Sequence, residues 1–172
     1  MLVLGGCRSG KSRFAAAQAG RYRRKLLIAT MEPGNDTELA DRIRRHREER
    51  GPEWQVLEEP VHLDRALAAG AEGADVVVVD CLTLWVTNCL LRGLTDEAVL
   101  TAAAQLADMI GAQPVPVILV ANEVGLGIVP DHPLARRFRD LAGWINQRLA
   151  AVCGEVYFVA AGLPLILKQN KG

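Results

Sequence analysis

The segment Gly5-Gly6-Cys7-Arg8-Ser9-Gly10-Lys11-Ser12 fits the pattern G-x-x-x-x-G-K-[S/T], and it stands between a short apolar run, Leu2 to Leu4, and an alanine-rich stretch beginning at Lys11. In that strand-to-helix setting the residue types have separate tasks. The glycines let the chain curl until consecutive N–H groups and the N-terminus of the next helix face one point, Lys11 adds a cation, and the Ser12 hydroxyl can ligate magnesium. We therefore expect Gly5, Gly6, Cys7, Arg8, Ser9, Gly10, Lys11 and Ser12 to hold the phosphates of ATP or GTP, with Lys11 also catalytic and Ser12 a ligand of Mg2+. The competing reading, a glycine-rich turn that only joins strand to helix, leaves the coincidence of pattern and context unexplained. Cys7 is read as a small loop residue rather than a nucleophile.

The remaining chain alternates in the same way. Leu2 to Leu4, Leu26 to Ala29, Val76 to Val79, Val115 to Val120 and Val156 to Ala160 read as buried strands, because a strand covered on both faces needs no polar alternation. Lys11 to Arg24, Asn35 to Arg50, Pro60 to Ala71, Thr95 to Ile110 and Leu134 to Val152 read as helices, with Asn35 or Asp36 and Thr95 as N-caps. Thr83 to Leu91 reads as a further short helix, Trp54 to Glu58 as another strand, and Leu165 to Lys168 as a last strand whose neighbour Pro164 points to a sheet edge. This spacing requires crossover helices and a largely parallel sheet, hence an α/β fold. A chain of 172 residues suffices for one compact domain spanning residues 1–172, not two.

Composition removes several classes of function. Twenty basic residues balance twenty acidic ones, so bulk charge supplies no polyanion-binding surface and nucleic acid is not an expected partner. No uninterrupted apolar stretch approaches the roughly 20 residues of a membrane span, and Met1 to Leu4 leads straight into the glycine-rich loop, leaving no room for a signal peptide. Cys7, Cys81, Cys89 and Cys153 form no C-x-x-C pair, which argues against a disulfide scaffold or structural metal and for a reducing cytoplasm.

Two further residues carry chemistry. Asp80 ends the Val76 to Val79 run, where a carboxylate at the carboxyl edge of a parallel sheet can reach the magnesium shell; capping the next turn through Thr83 is the alternative. His46 lies on the Asn35 to Arg50 helix among Arg42, Arg44, Arg45, Arg47 and Arg50. That arginine density favours a neutral, nucleophilic imidazole and offers guanidinium forks to phosphate. From the residues alone, a solvated helix face remains the competing reading of His46.

Taken together, GGCRSGKS, RIRRHREER at Arg42 to Arg50, VDCLTLWVTNCL at Val79 to Leu90, NEVGLGIVP at Asn122 to Pro130 and ARRFRDLAGWINQRLA at Ala135 to Ala150 resemble the bifunctional adenosylcobinamide kinase/adenosylcobinamide-phosphate guanylyltransferase (CobU/CobP) family. The resemblance runs from Leu2 to Lys168. It implies a RecA-like P-loop fold, a homotrimer, and a cytoplasmic enzyme of cobalamin biosynthesis that phosphorylates adenosylcobinamide with ATP or GTP. That enzyme then transfers GMP from GTP to adenosylcobinamide phosphate, giving adenosyl-GDP-cobinamide and pyrophosphate. It further implies that His46 carries the covalent GMP, and that Thr30, Met31, Glu32, Arg47, Glu48, Glu49, Arg50, Glu58 and Asp80 contact nucleotide, beside the metal roles that the loop pattern offers Ser12 and the strand end offers Asp80. His62 and His132 fall outside the family motifs.

The Asn122-Glu123-Val124-Gly125 turn is not the N-K-x-D guanine-reading motif, which weakens a GTPase-switch reading. Gly125 and Gly127 serve a tight loop and Arg136, Arg137 and Arg139 a solvated helix face, with corrinoid or subunit contacts as the alternative for both. A single-activity small-molecule kinase and a nucleotide-gated binding module are the alternatives to the bifunctional enzyme.

Overall fold

In the computed structural model, residues 1–32, 51 and 53–169 are described. The expected Asn35 to Arg50 helix, with His46, Arg47, Glu48, Glu49 and Arg50, lies outside them. Seven strands form one sheet: β1 (Leu2–Gly5), β2 (Lys25–Ala29), β3 (Trp54–Glu58), β4 (Val76–Asp80), β5 (Val117–Asn122), β6 (Glu155–Ala160) and β7 (Leu163–Gln169). Their order is β3-β2-β4-β5-β1-β6-β7. Every pairing is parallel except β6 with β7. The inner strands are the uninterrupted apolar runs, as burial on both faces demands.

The helices are α1 (Lys11–Ala19), α2 (Leu63–Gly70), α3 (Leu82–Leu91), α4 (Asp96–Ala112) and α5 (Pro133–Val152). Alternate residues of each strand go to opposite layers. Leu2, Leu4, Val77, Val79, Leu119 and Ala121 pack with α2 to α5, whereas Val3, Val76, Val78, Ile118 and Val120 pack with Ala15 and Ala19 of α1. Residues two further along, Gly5, Asp80 and Asn122, therefore end their strands on the α1 side of the sheet.

Several boundaries differ from the sequence reading. Helix α1 stops at Ala19, not Arg24, with the Gly20 N–H bonded to Ala16 and Ala17 carbonyls, so that the chain can turn back into β2. Helix α2 starts at Leu63, not Pro60, because the Glu59 carboxylate accepts from the N–H groups of Val61 and His62 and holds them in a turn. Strand β5 begins only at Val117, after Pro116, and continues to Asn122. The last hairpin turns at Ala161 and Gly162, both at positive φ, as tight two-residue hairpin loops require. Pro164 thus lies within β7, opposite Val159, on an edge strand. Thr95 caps α4 as expected, its hydroxyl accepting from the Ala98 N–H at 3.2 Å.

Candidate nucleotide site

Strand β1 delivers the chain to Gly5, where a Cβ would meet the Val159 carbonyl oxygen at 2.5 Å and Ser9 Oγ at 2.6 Å. Only glycine fits there. The loop then reverses through Arg8 at φ 54° and Gly10 at φ 97°, and the Ser9 N–H returns to the Gly6 carbonyl at 3.3 Å. Two outside contacts brace it. The Gly162 N–H of the β6–β7 turn donates to the Ser9 carbonyl at 2.8 Å, and the Glu123 N–H beyond β5 donates to the Gly5 carbonyl at 3.0 Å.

Helix α1 starts from this loop with no side-chain cap and no acidic residue in its first turn. Its leading N–H groups and positive dipole end therefore face outward unneutralised, the electrostatic requirement of an anion site. Lys11 is buried, and its Nζ donates to the Gly6 carbonyl at 2.9 Å. The ammonium is thus folded over the loop, while Ser12 is exposed at the next position.

Asp80 comes from β4, which is separated from β1 by β5. Its carboxylate takes part in no hydrogen bond or ion pair among the described residues. The proposed cap through Thr83 is not formed: α3 has no side-chain cap, and the Thr83 hydroxyl instead accepts from the Asn122 N–H at 2.6 Å. Asp80 therefore points its carboxylate along the same face as the loop.

Thr30, Met31 and Glu32 follow β2. Thr30 is wholly buried, and its hydroxyl donates to the Cys81 carbonyl at 2.7 Å and accepts from the Cys81 N–H at 2.8 Å. Its own carbonyl accepts from Asn88 Nδ2, and its N–H donates to the Asp80 carbonyl. Thr30 thus ties β2 to the turn that follows Asp80. Glu32 pairs with Arg92 at the end of α3, and Met31 is half-buried. Glu58 ends β3 opposite Ala29. Four strand spacings separate β3 from β1, about 19 Å, so the structure brings Thr30 to Glu32 and Glu58 together at one end of the carboxyl edge and the phosphate loop at the other, with Asp80 between them.

Burial, and secondarily the Asp80 charge, raises the pKa of the Cys81 thiol, and burial pushes that of Cys89 up to about 11. Cys7 is exposed and the other three cysteines buried, all unpaired.

Sequence reasoning gives Asn88 no role, names Thr83 only as a cap partner for Asp80, and names Asn122 only as the start of a turn. Asn122 ends an apolar strand as Asp80 does, and that shared pattern was its signal. Arg136 donates to the Pro130 and Asp131 carbonyls, and Arg137 to Asp96 and the Leu94 carbonyl, so both brace the start of α5 rather than forming a solvated face. His132 caps that helix by accepting from the Leu134 N–H. A cavity of about 220 Å³ lined by Arg23, Arg24, Lys25, Glu53 and Gln55 lies at the amino ends of β2 and β3, away from the edge where parallel sheets bind ligands.

A phosphate loop closing one strand, and a carboxylate ending another two places away on the same sheet face, define a P-loop nucleotide-binding protein. The model of the cobinamide kinase/cobinamide phosphate guanyltransferase family matches residues 1–167, and the chain belongs to that family. It is 46% identical over 171 residues to the bifunctional adenosylcobalamin biosynthesis protein CobP of Pseudomonas aeruginosa, covering 97% of this chain and 96% of that one. Identity to the bifunctional protein CobU of Salmonella typhimurium is 40% over 186 residues, with 98% and 99% covered. A solved structure from Pyrococcus horikoshii shares the fold, with a TM-score of 0.58 at 10% identity over 99% of this chain and 86% of that one.

Proposed function

We propose that this protein phosphorylates adenosylcobinamide with ATP or GTP and then transfers GMP from GTP to adenosylcobinamide phosphate. The observation that carries the reading is the uncapped amide face of the phosphate loop with Asp80 beside it, in a chain matched to the family almost end to end. In the kinase step the substrate hydroxyl oxygen attacks the γ-phosphorus, the bond to the β-phosphate bridging oxygen breaks, and the hydroxyl proton is lost. In the transferase step an imidazole nitrogen of His46 attacks the α-phosphorus of GTP and pyrophosphate leaves. A phosphate oxygen of adenosylcobinamide phosphate then attacks the same phosphorus, breaking the P–N bond and restoring the imidazole.

The loop amides from Gly5 to Ser12 hold the phosphates, and Lys11 swings from the Gly6 carbonyl onto them, neutralising charge that develops as the leaving group departs. Among the described residues no cluster of three or more His, Cys, Asp or Glu side chains could hold a metal by itself. One hydroxyl and one carboxylate, Ser12 and Asp80, suit Mg2+, which takes few protein ligands and completes its shell with phosphate oxygens and water. When bound it would supply charge neutralisation and alignment of the phosphates. Met31, Glu32 and Glu58 form the far part of the nucleotide site, and Arg47, Glu48, Glu49 and Arg50 are assigned to nucleotide contact; Thr30, being buried, contributes by fixing the strand ends.

We further assign a homotrimer working in the cytoplasm. Support comes from edge strand β7, whose Leu163, Leu165, Ile166 and Leu167 side chains are exposed, and from four free thiols. No helix among the described residues is long and apolar enough to cross a membrane. Product analysis tests the catalytic reading. Adenosylcobinamide with ATP should yield its phosphate, and added GTP should carry it to adenosyl-GDP-cobinamide with pyrophosphate. A reaction halting at the phosphate would indicate the single-activity kinase, and hydrolysis without a corrinoid product the binding module.

A further inference from the structure

Two buried side-chain atoms lack a hydrogen-bond partner among the described residues, Ser9 Oγ and Asn122 Oδ1. Ser9 belongs to the phosphate loop itself. Asn122 does not, yet it pairs in register with Gly5, the first residue of the loop. It also lies on the strand next to Asp80 on the other side, two residues beyond Val120, the register partner of Asp80. Strand geometry then puts the Asn122 and Asp80 Cα atoms about 8 Å apart. Alternation with Val120 and Val78, both packed against α1, sends the two side chains to the same face.

The backbone around Asn122 is fixed on both sides. Its N–H donates to Thr83 Oγ1 at 2.6 Å, and the next N–H donates to the Gly5 carbonyl at 3.0 Å. A small backbone shift cannot relieve the carboxamide oxygen. An unsatisfied buried acceptor costs about 1–3 kcal/mol, and such atoms persist where a ligand completes them. Triphosphate oxygens accept hydrogen bonds and cannot complete Oδ1, and Lys11 is directed at the loop. A donor that arrives with the nucleotide is water on its hydrated Mg2+, a cation that retains several waters when held by few protein ligands.

We propose that Asn122, beside the magnesium ligands Ser12 and Asp80, adds to the site's preference for the magnesium complex of a nucleoside triphosphate over the free nucleotide, its Oδ1 accepting from a metal-bound water. The assignment rests on the nucleotide-binding reading of the loop and extends it to a strand end outside the loop motif.

Equilibrium binding of a ribose-labelled fluorescent GTP, with magnesium and with EDTA, tests it on the full chain. In the parent, magnesium should tighten binding. In Asn122→Ala that gain should shrink about tenfold, the scale of one hydrogen bond to a charged group, while metal-free affinity stays within about twofold. Asn122→Asp keeps an acceptor oxygen in place and should retain the gain; its loss there would overturn the assignment, and this variant carries the test should the alanine protein not fold. Because Oδ1 has no partner among the described residues, Asn122→Ala should melt no lower than the parent in nucleotide-free buffer. A parental magnesium gain in Asn122→Ala, or equal weakening with and without metal, would contradict the proposal. Lys11→Ala serves as the control: parental GTP affinity in that variant would refute the phosphate-loop reading itself, whereas weak Lys11→Ala beside normal Asn122→Ala would refute only the role of Asn122.

Discussion

The phosphate loop and the seam around Thr30 occupy the same carboxyl edge of one sheet and are built by opposite means. The loop is eight consecutive residues shaped by short-range contacts, Ser9 to Gly6 and Lys11 to Gly6, with two braces from the segments that follow β5 and β6. At the seam, Thr30 joins Cys81 across 51 residues and Asn88 across 58, and no segment of it would hold its shape alone. The difference teaches where each kind of change should act: loop substitutions should remove chemistry and leave the fold, whereas seam substitutions should weaken the fold and reach the chemistry only through Asp80.

The strongest test of that division is Lys11→Ala. Losing the loop cation should lower both kinase and transferase rates by about 10²–10³-fold, with circular dichroism unchanged. Full transferase activity would mean that GTP is held elsewhere for that step. Asp80→Asn comes next, since it keeps the shape and removes the charge; we expect activity down by about tenfold or more and half-maximal magnesium shifted upward. An unchanged magnesium requirement would leave Asp80 a purely structural strand end.

On the seam, Thr30→Val preserves volume and leaves the Cys81 N–H and carbonyl without partners. It should cost about 1–3 kcal/mol in denaturant unfolding, with magnesium-free GTP affinity nearly unchanged. A large loss of affinity with no loss of stability would place Thr30 on the ligand and erase the contrast.

The smallest effect concerns Cys89 of α3. Burial holds its thiol at about 11 in the fold against an unperturbed 9.0. Between those values the unfolded chain releases a proton that the folded chain retains, so stability falls as pH rises through that window. Melting temperature measured from about pH 9 to 11 should decline less in Cys89→Ala than in the parent.

The same contrast explains what the sequence could reveal. The loop and its flanking elements were legible because a local motif and the run of buried strands encode them directly; β3 was read to the residue. Boundary errors had local causes: Gly20 already marked the end of α1, Glu59 captured the N–H groups that would have opened α2 earlier, and Pro116 delayed β5. The seam was not legible, because the meeting of Thr30, Cys81 and Asn88 follows from β2 lying beside β4, and strand order is a property of the whole fold. Asn122 is read from sequence only as the start of a turn, although it ends β5 as Asp80 ends β4; its significance depends on pairing with Gly5, which no spacing along the chain discloses. Arg136 and Arg137 looked like surface charge because their carbonyl and carboxylate partners lie on the α5 lead-in and on α4.

The central claim, that this chain transfers GMP through a histidine, is tested most directly by incubating it with magnesium and GTP labelled at the α-phosphate, then locating the covalent label. The account predicts an acid-labile, base-stable adduct on His46 in the parent and none in folded His46→Asn, which still phosphorylates adenosylcobinamide because that step needs no imidazole. Formation of adenosyl-GDP-cobinamide by His46→Asn at the parent rate, or label retained on another residue, would contradict it.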